Sequence, residues 1–166
     1  LVAADVRRGL CTSDEARRLY GVVLGGDGAA DTDATQAARQ QARQARLDSG
    51  QPPAANPLTN LDFSGDERIR VGNVLAVRNS ANGPVLGCRN CGHAFGPAGD
   101  DPRQYAVIVE TPIADLSPVN HFADGSGVVL HQYCCAGCGT LFSTDLHRSG
   151  EDPLMPEMHL ALDAAE

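Results

Sequence analysis

The fold of this chain is decided by two short segments, Cys88-Arg-Asn-Cys91-Gly92-His93 and Cys135-Ala-Gly-Cys138-Gly139-Thr140. Each is a Cys-x-x-Cys pair followed at once by glycine, and 43 residues separate the two pairs. Two residues between cysteines let one tight turn aim both sulfurs at a single point, and glycine takes the positive φ that such a turn needs. The spacing predicts that Cys88, Cys91, Cys135 and Cys138 bind one zinc ion per chain.

A Cys-x-x-Cys pair is also the motif of redox dithiols. That function usually places the pair at the start of a helix, because the helix dipole there lowers the pKa of a thiol. Here glycine and β-like sequence follow both pairs, so joint ligation of a metal is the better interpretation. Four thiolates leave no open position for water, and the zinc is therefore expected to be structural rather than catalytic.

Other cysteines and histidines are possible rivals of these four ligands. Cys134 adjoins Cys135, but in a continuing strand its side chain points to the opposite face, so we expect a buried thiol without metal. His93 is expected beside the ligands or on the surface, because four cysteines already saturate the metal. Cys11 is expected to pack in a helix-entry turn. The remaining histidines lack the spacing of a catalytic metal site and are expected to have no special role: His121, His131, His147 and His159.

The composition limits both the core and the kinds of partner. The 166 residues carry a formal charge of −8 and only 4% aromatic residues, so the core is thin without a metal or a partner. Residues 1–50 hold seven arginines and seven acids, which places the whole negative excess after residue 50. Neither part has the net basic surface that phosphate contacts require, and nucleic acid is therefore disfavoured as a partner.

The cellular setting is inferred from segments that the sequence does not contain. No apolar run approaches the ~20 residues of a membrane span, and the N-terminus does not resemble a signal sequence. Because the cysteines have metal rather than disulfide spacing, a cytoplasmic, reducing setting is predicted. The sequence begins at Leu1 rather than methionine, so we expect a trimmed, fused or differently started product.

The pattern of apolar residues and turn formers predicts an α+β chain in three parts. These are an N-terminal helical arm (1–50), a linker (51–66) and a small β-rich, zinc-ribbon-like domain (67–166). The linker begins with Gln51-Pro52-Pro53, where the prolines disfavour helix and lack donors for a sheet. The domain contains four strand-like runs, at 68–78, 105–113, 128–133 and 140–146.

The arm carries helix signals but little apolar area. Thr12 and Glu15 have capping-box spacing before a helix at 14–20, and Asp33 is predicted to cap a second helix at 34–47. The second helix presents alanines and a single large apolar residue. Burying alanines removes too little area from water to offset the entropy of ordering, so the arm is expected to fold against something else.

Signatures of catalysis are missing from the sequence. The glycine-rich turn at 25–28 lacks the Gly-Lys-Ser/Thr of a phosphate-binding loop, and no Gly-x-Ser-x-Gly elbow occurs. Asp100 and Asp101 adjoin glycine and proline, so we expect both carboxylates to be solvated in a loop. The chain by itself is not expected to be an enzyme.

Two parts of the sequence resemble known families. The run from Asp5 to Ala16, continuing to Tyr20-Gly21-Val22-Val23-Leu24, resembles the C-terminal tail of hydantoinase B/oxoprolinase-type large subunits. The runs 88–95, 105–110 and 133–141 resemble the small, zinc-binding gamma subunit of acetone and acetophenone carboxylases.

Together the resemblances imply an accessory role. Those carboxylases combine hydantoinase A-like and hydantoinase B-like large subunits, which activate bicarbonate and ketone with ATP, with one small subunit. The resemblance implies that this chain is a structural zinc subunit of such a hetero-oligomer and that its arm docks on a large subunit. Related complexes hydrolyse cyclic amides, so an accessory subunit of such a hydrolase is one alternative. A free-standing zinc-ribbon adaptor that binds protein is the other.

Overall fold

The computed structural model of this protein describes residues 1–56, 66–81, 83–113 and 127–150. The chain forms two compact units, Leu1–Ala45 and Arg46–Glu166. Within the described ranges there are three α-helices, one short 3-10 helix and two antiparallel sheets, which confirms the predicted α+β class. No helix in these ranges is long and apolar enough to cross a membrane.

The described residues contain three helices, α1 (Val2–Arg7), α2 (Ser13–Tyr20) and α3 (Thr32–Ser49). The local sequence supplies side-chain caps to α2 and α3, whereas α1 has none. At α2 the predicted capping box is present: the Glu15 N–H donates to Thr12 Oγ1 at 3.1 Å, and the Thr12 N–H donates to the Glu15 carboxylate at 2.7 Å. Gly21 ends α2 in the left-handed conformation, with φ of 59°, as helix C-caps commonly require.

The cap of α3 differs from the prediction. The helix begins two residues earlier than expected, and Asp31 rather than Asp33 accepts the Ala34 N–H, at 2.9 Å. Asp33 instead lies inside the first turn, where its charge complements the helix dipole. Both aspartates stand at positions that suit a helix cap. The β-bridge between Leu24 and Ala30 ends immediately before Asp31, so the helix begins after this earlier aspartate.

The first unit buries very little apolar surface. Within residues 1–45, all of which are described, only Ala16 and Val22 are buried. Leu10, Leu19 and Tyr20 are 73%, 57% and 53% exposed. Apolar burial of this size stabilises a fold weakly, because the hydrophobic contribution scales with the area removed from water.

The second unit is built from two antiparallel sheets. The first sheet has the order β1-β2-β3-β4 and the second the order β5-β6-β7. The strands are β1 (Glu67–Val71), β2 (Leu75–Ser80), β3 (Gly83–Cys88), β4 (Ala94–Pro97), β5 (Ala106–Pro112), β6 (Val128–Cys135) and β7 (Leu141–Arg148).

All four predicted strand-like runs contain strands, but the first is two strands rather than one. Gly72, with φ of 61°, makes the turn between β1 and β2 inside the run 68–78. The sequence did not predict β3 and β4, since glycine and proline interrupt their apolar residues. These two strands flank the first cysteine pair, so they matter most for the site.

The core of the second unit lies directly beneath the cysteine pairs. Phe95 is fully buried and packs edge-on against Phe142 at a centroid distance of 5.2 Å. The same cluster contains Cys88 and Cys135 together with these apolar residues: Leu75, Val77, Leu86, Ala98 and Tyr105. A metal held by those cysteines would therefore join the two sheets at their shared core.

The predicted linker starts with ordered contacts. Gln51 exchanges two backbone hydrogen bonds with Ile108 of β5, at 2.8 and 3.0 Å, and the Ala55 N–H donates to the Gln104 carbonyl at 2.8 Å. A Cβ at Gly50 would lie 2.3 Å from Val107 Cγ1, so only glycine permits this approach. The rest of the predicted linker, 57–65, lies outside the described residues.

Candidate metal centre

The two turns that follow β3 and β6 bring four thiols together. Cys88 ends β3, Cys135 ends β6, and Cys91 and Cys138 lie in the turns that follow. The four Sγ atoms all lie within 4.8 Å of one another, an arrangement that could hold a metal ion. Cys88 and Cys135 face the core, Cys138 is partly buried and Cys91 is exposed.

The two turns close with the same pair of backbone hydrogen bonds. In each, the first cysteine's carbonyl accepts from the glycine after the second cysteine, and its N–H donates to the carbonyl one residue further on. The distances are 2.9 Å for Gly92 to Cys88, 2.8 Å for Gly139 to Cys135, 2.8 Å for Cys88 to His93 and 2.9 Å for Cys135 to Thr140. The glycines have φ of 74° and 65°, which a side chain would strain.

The distances between sulfurs match a tetrahedral ion rather than disulfides. Sγ of Cys88 lies 3.8 Å from Sγ of Cys138, and Sγ of Cys91 lies 3.7 Å from Sγ of Cys135. A Zn–S bond of about 2.3 Å implies an edge of about 3.8 Å in a regular tetrahedron. A disulfide requires about 2.05 Å, and all six cysteines of the chain are free thiols. The donor set and its size therefore fit zinc.

The local hydrogen bonds favour the thiolate form of one of the four cysteines, Cys88. A hydrogen bond from the Cys135 thiol lowers the pKa of Cys88 to about 5, helped by the backbone N–H groups of Cys91 and Asn90. That same hydrogen bond, followed by burial, raises the pKa of Cys135, and burial raises the pKa of Cys91 to about 11. A divalent cation removes the repulsion between further thiolates, so metal binding and deprotonation of the cluster are coupled.

The two turns approach closely where the Gly137 backbone faces side chains of the first turn. A Cβ at Gly137 would lie 2.9 Å from His93 Cβ and 3.2 Å from Cys91 Sγ. The Asn90 side chain also reaches across, since its Nδ2 donates to Thr140 Oγ1 at 3.2 Å. No role was predicted for Gly137, and the need for glycine at this position becomes visible only when the turns face each other.

The possible rival ligands lie outside the four-thiol group. His93 packs edge-on against Phe95 with ring centroids 5.7 Å apart, and burial lowers its pKa. Cys134 is fully buried, with Sγ 3.9 Å from the Gln132 carbonyl oxygen, and burial raises its pKa. Cys11 lies in the first unit, between α1 and α2.

The expectation of solvated carboxylates is wrong for Asp101 and holds only in part for Asp100, which is half-buried. Asp101 is only 8% exposed and binds the Arg103 guanidinium, with an Nη2–Oδ2 distance of 2.6 Å. Arg103 also donates to Asp145 of β7, and Asp100 accepts the Tyr105 hydroxyl at 2.7 Å. The missed signal is the sequence Asp101-Pro102, because Asp101 caps the 3-10 helix Pro102–Tyr105 and so turns inward.

Two of the four histidines that were expected to have no role come together on the second sheet. The rings of His131 and His147 stack with centroids 3.9 Å apart. Alternation along the sequence places each histidine on one face of its own strand, and only the pairing of β6 with β7 brings the two rings together. His121 and His159 lie outside the described residues.

No protein-family model and no curated protein matches the chain. The interpretation of the site therefore rests on its own chemistry. Four cysteines on two matching turns could hold a metal ion, and their geometry is compatible with zinc.

Proposed function

We propose that this chain is a structural zinc protein that serves as an accessory subunit of a multi-subunit ATP-dependent carboxylase of the acetone/acetophenone carboxylase type. The observation that carries the metal part is the four-thiol cluster, whose sulfur–sulfur distances of 3.7 and 3.8 Å suit a tetrahedral ion. The accessory role is supported by the resemblances of the two sequence regions.

Zinc is favoured over other metals by the donors and by the closed site. Four thiolates in a tetrahedron suit zinc or iron, whereas oxygen-seeking cations require carboxylates and carbonyls. Zinc has no redox chemistry and no preferred d-electron geometry, which suits an ion that only links two sheets. Elemental analysis of the protein purified from cells tests this choice, since zinc supports the proposal and iron contradicts it.

A structural role follows from the saturated coordination. With Cys88, Cys91, Cys135 and Cys138 all bound, no position remains for water or substrate. Because Cys88 and Cys135 belong to the core cluster, binding free energy becomes folding free energy of the second unit.

The accessory role is supported by the small core of the first unit. Leu10, Leu19 and Tyr20 are exposed, and only Ala16 and Val22 are buried. Apolar side chains that a unit leaves exposed are often buried against a partner. We propose that these side chains are buried against a hydantoinase B-like large subunit, because the sequence of this region resembles the C-terminal tail of such subunits.

The test is co-purification of the full chain with hydantoinase A-like and hydantoinase B-like subunits. Leu19→Asp should abolish co-purification, whereas Leu146→Asp, at a residue 45% exposed in the second unit, should retain it. A stable monomer that never co-purifies contradicts the accessory role and favours the free-standing adaptor. Incubating the complex with ATP, bicarbonate and ketone, or with ATP and a cyclic amide, separates the carboxylase from the hydrolase.

A further inference from the structure

A second group of titratable side chains lies on one face of the second sheet. His131 of β6 pairs in register with Glu110 of β5 and with Asp145 of β7, so all three side chains share that face. His147 lies two residues beyond Asp145 on β7, and its ring stacks on His131 with planes inclined by 29°.

The two histidines have different partners. His131 Nε2 lies 2.9 Å from Glu110 Oε2, and the Glu110 side chain is 41% exposed. His147 is only 5% exposed, and its Nε2 lies 3.4 Å from the Tyr133 hydroxyl. Asp145, the carboxylate next to it on β7, accepts a hydrogen bond from Arg103. A proton on His131 therefore meets a carboxylate directly, whereas a proton on His147 meets a phenol.

We propose that the stacked rings of His131 and His147 form a proton-sensitive latch, in which a proton on the buried His147 ring opens the end of β7. Two imidazolium ions with centroids 3.9 Å apart repel each other, and burial removes the water that would screen them. The charged and titratable groups that face the pair are Glu110 from β5, Tyr133 from β6, Asp145 from β7, and Arg103 from the 3-10 helix.

The balance of these groups decides the sign. Burial lowers the pKa of His147 below its ordinary value of 6.5, and a charge on His131 or Arg103 lowers it further, against the opposing effect of Asp145. A histidine whose pKa is lowered resists protonation in the folded chain. The stability that neutral His147 contributes is therefore complete above pH 6.5 and is lost as the pH falls below that value.

The test is an NMR titration of the zinc-loaded full chain from about pH 8 to about pH 5, with hydrogen exchange in the same samples. We expect the His147 ring to titrate below the ordinary histidine pKa of 6.5. Between pH 6.5 and the His147 midpoint, protection of the β7 amides from Asp145 to Arg148 should fall by up to about tenfold per pH unit, because each opening takes up one proton, and below the midpoint it should level off. Amides of β2 and β3 should keep their protection, which shows that zinc is still bound.

Two variants separate the latch from simple packing. His147→Gln keeps a hydrogen-bonding group near Tyr133 but cannot be protonated, and it should make β7 protection independent of pH. His131→Gln removes the ring that disfavours a charge on its neighbour and should raise the His147 midpoint. If either variant fails to fold, the wild-type titration still decides. A His147 ring that titrates at or above pH 6.5, or β7 protection that does not change with pH, would overturn the proposal.

Discussion

Replacing Gly137 by alanine tests how closely the two cysteine turns face each other. The new Cβ would lie 2.9 Å from His93 Cβ, 3.0 Å from His93 Cγ and 3.2 Å from Cys91 Sγ. The His93 Cβ contact is about 0.6 Å shorter than the lower end of the favourable carbon–carbon range, about 3.5 Å. The backbone of Gly137 does not have positive φ, so this variant measures crowding rather than conformational strain.

The expected cost of Gly137→Ala is about 2 kcal/mol, the middle of the range for inserting a methyl group into a packed site. If the added methyl group causes no crowding in the metal-free chain, the whole cost destabilises the zinc-bound form. A cost of this size corresponds to about 30-fold weaker zinc binding. Competition with a chromophoric chelator of known zinc affinity measures this directly.

The matched control is Gly99→Ala. A Cβ at Gly99 would have nothing within 4 Å, and the backbone at Gly99 does not have positive φ. Its zinc affinity should equal that of the wild type. A second control is His93→Gly, in which Gly137→Ala should cost less because two of the three close contacts are gone. If Gly137→Ala binds zinc as tightly as Gly99→Ala, the facing arrangement of the turns is wrong.

Three further predictions concern the thiols, the buried arginine and pH. Cys88→Ser should release zinc and unfold the second unit, whereas Cys134→Ser should keep one zinc per chain and only lower the melting temperature; loss of zinc from both would contradict the ligand assignment. Arg103→Met should lower the free energy of unfolding in urea by about 3 kcal/mol, because it leaves the Asp101 and Asp145 carboxylates buried without their cation. The arginine side chain between them is only 9% exposed. The exposed Arg68→Met, in β1, is the control for Arg103→Met and should change stability by less than about 0.5 kcal/mol. Zinc affinity should fall as pH falls, with a slope steeper than one proton per ion, because several thiols must lose protons on binding; a pH-independent affinity would exclude thiolate ligands.

The parts of the structure that sequence predicts well are those set by local chemistry. The α2 capping box needs only Thr12 and Glu15, which are three residues apart, and the strand-like alternation in β5 to β7 needs only neighbouring residues. The matching turns follow from the Cys-x-x-Cys-Gly pattern in the same way. In each case the interaction that decides the structure lies within a few residues of the signal.

The parts that sequence reasoning missed depend on contacts between distant segments. Asp101 was expected to be solvated because its partner Arg103, although only two residues away, is held in the interior by a hydrogen bond to Asp145, 42 residues further along the chain. The stacking of His131 on His147 requires the register of β6 and β7, which no local pattern supplies. Strands β3 and β4 were missed because pairing with their neighbours, rather than the propensity of glycine and proline, makes them strands.

We propose above all a single zinc ion bound by four sulfurs. X-ray absorption at the zinc edge, combined with elemental analysis of the purified full chain, measures this directly. The prediction is one zinc per chain with four sulfur neighbours at about 2.3 Å and no oxygen or nitrogen neighbour. A folded chain without zinc, or a zinc ion with fewer than four sulfur neighbours, would contradict it.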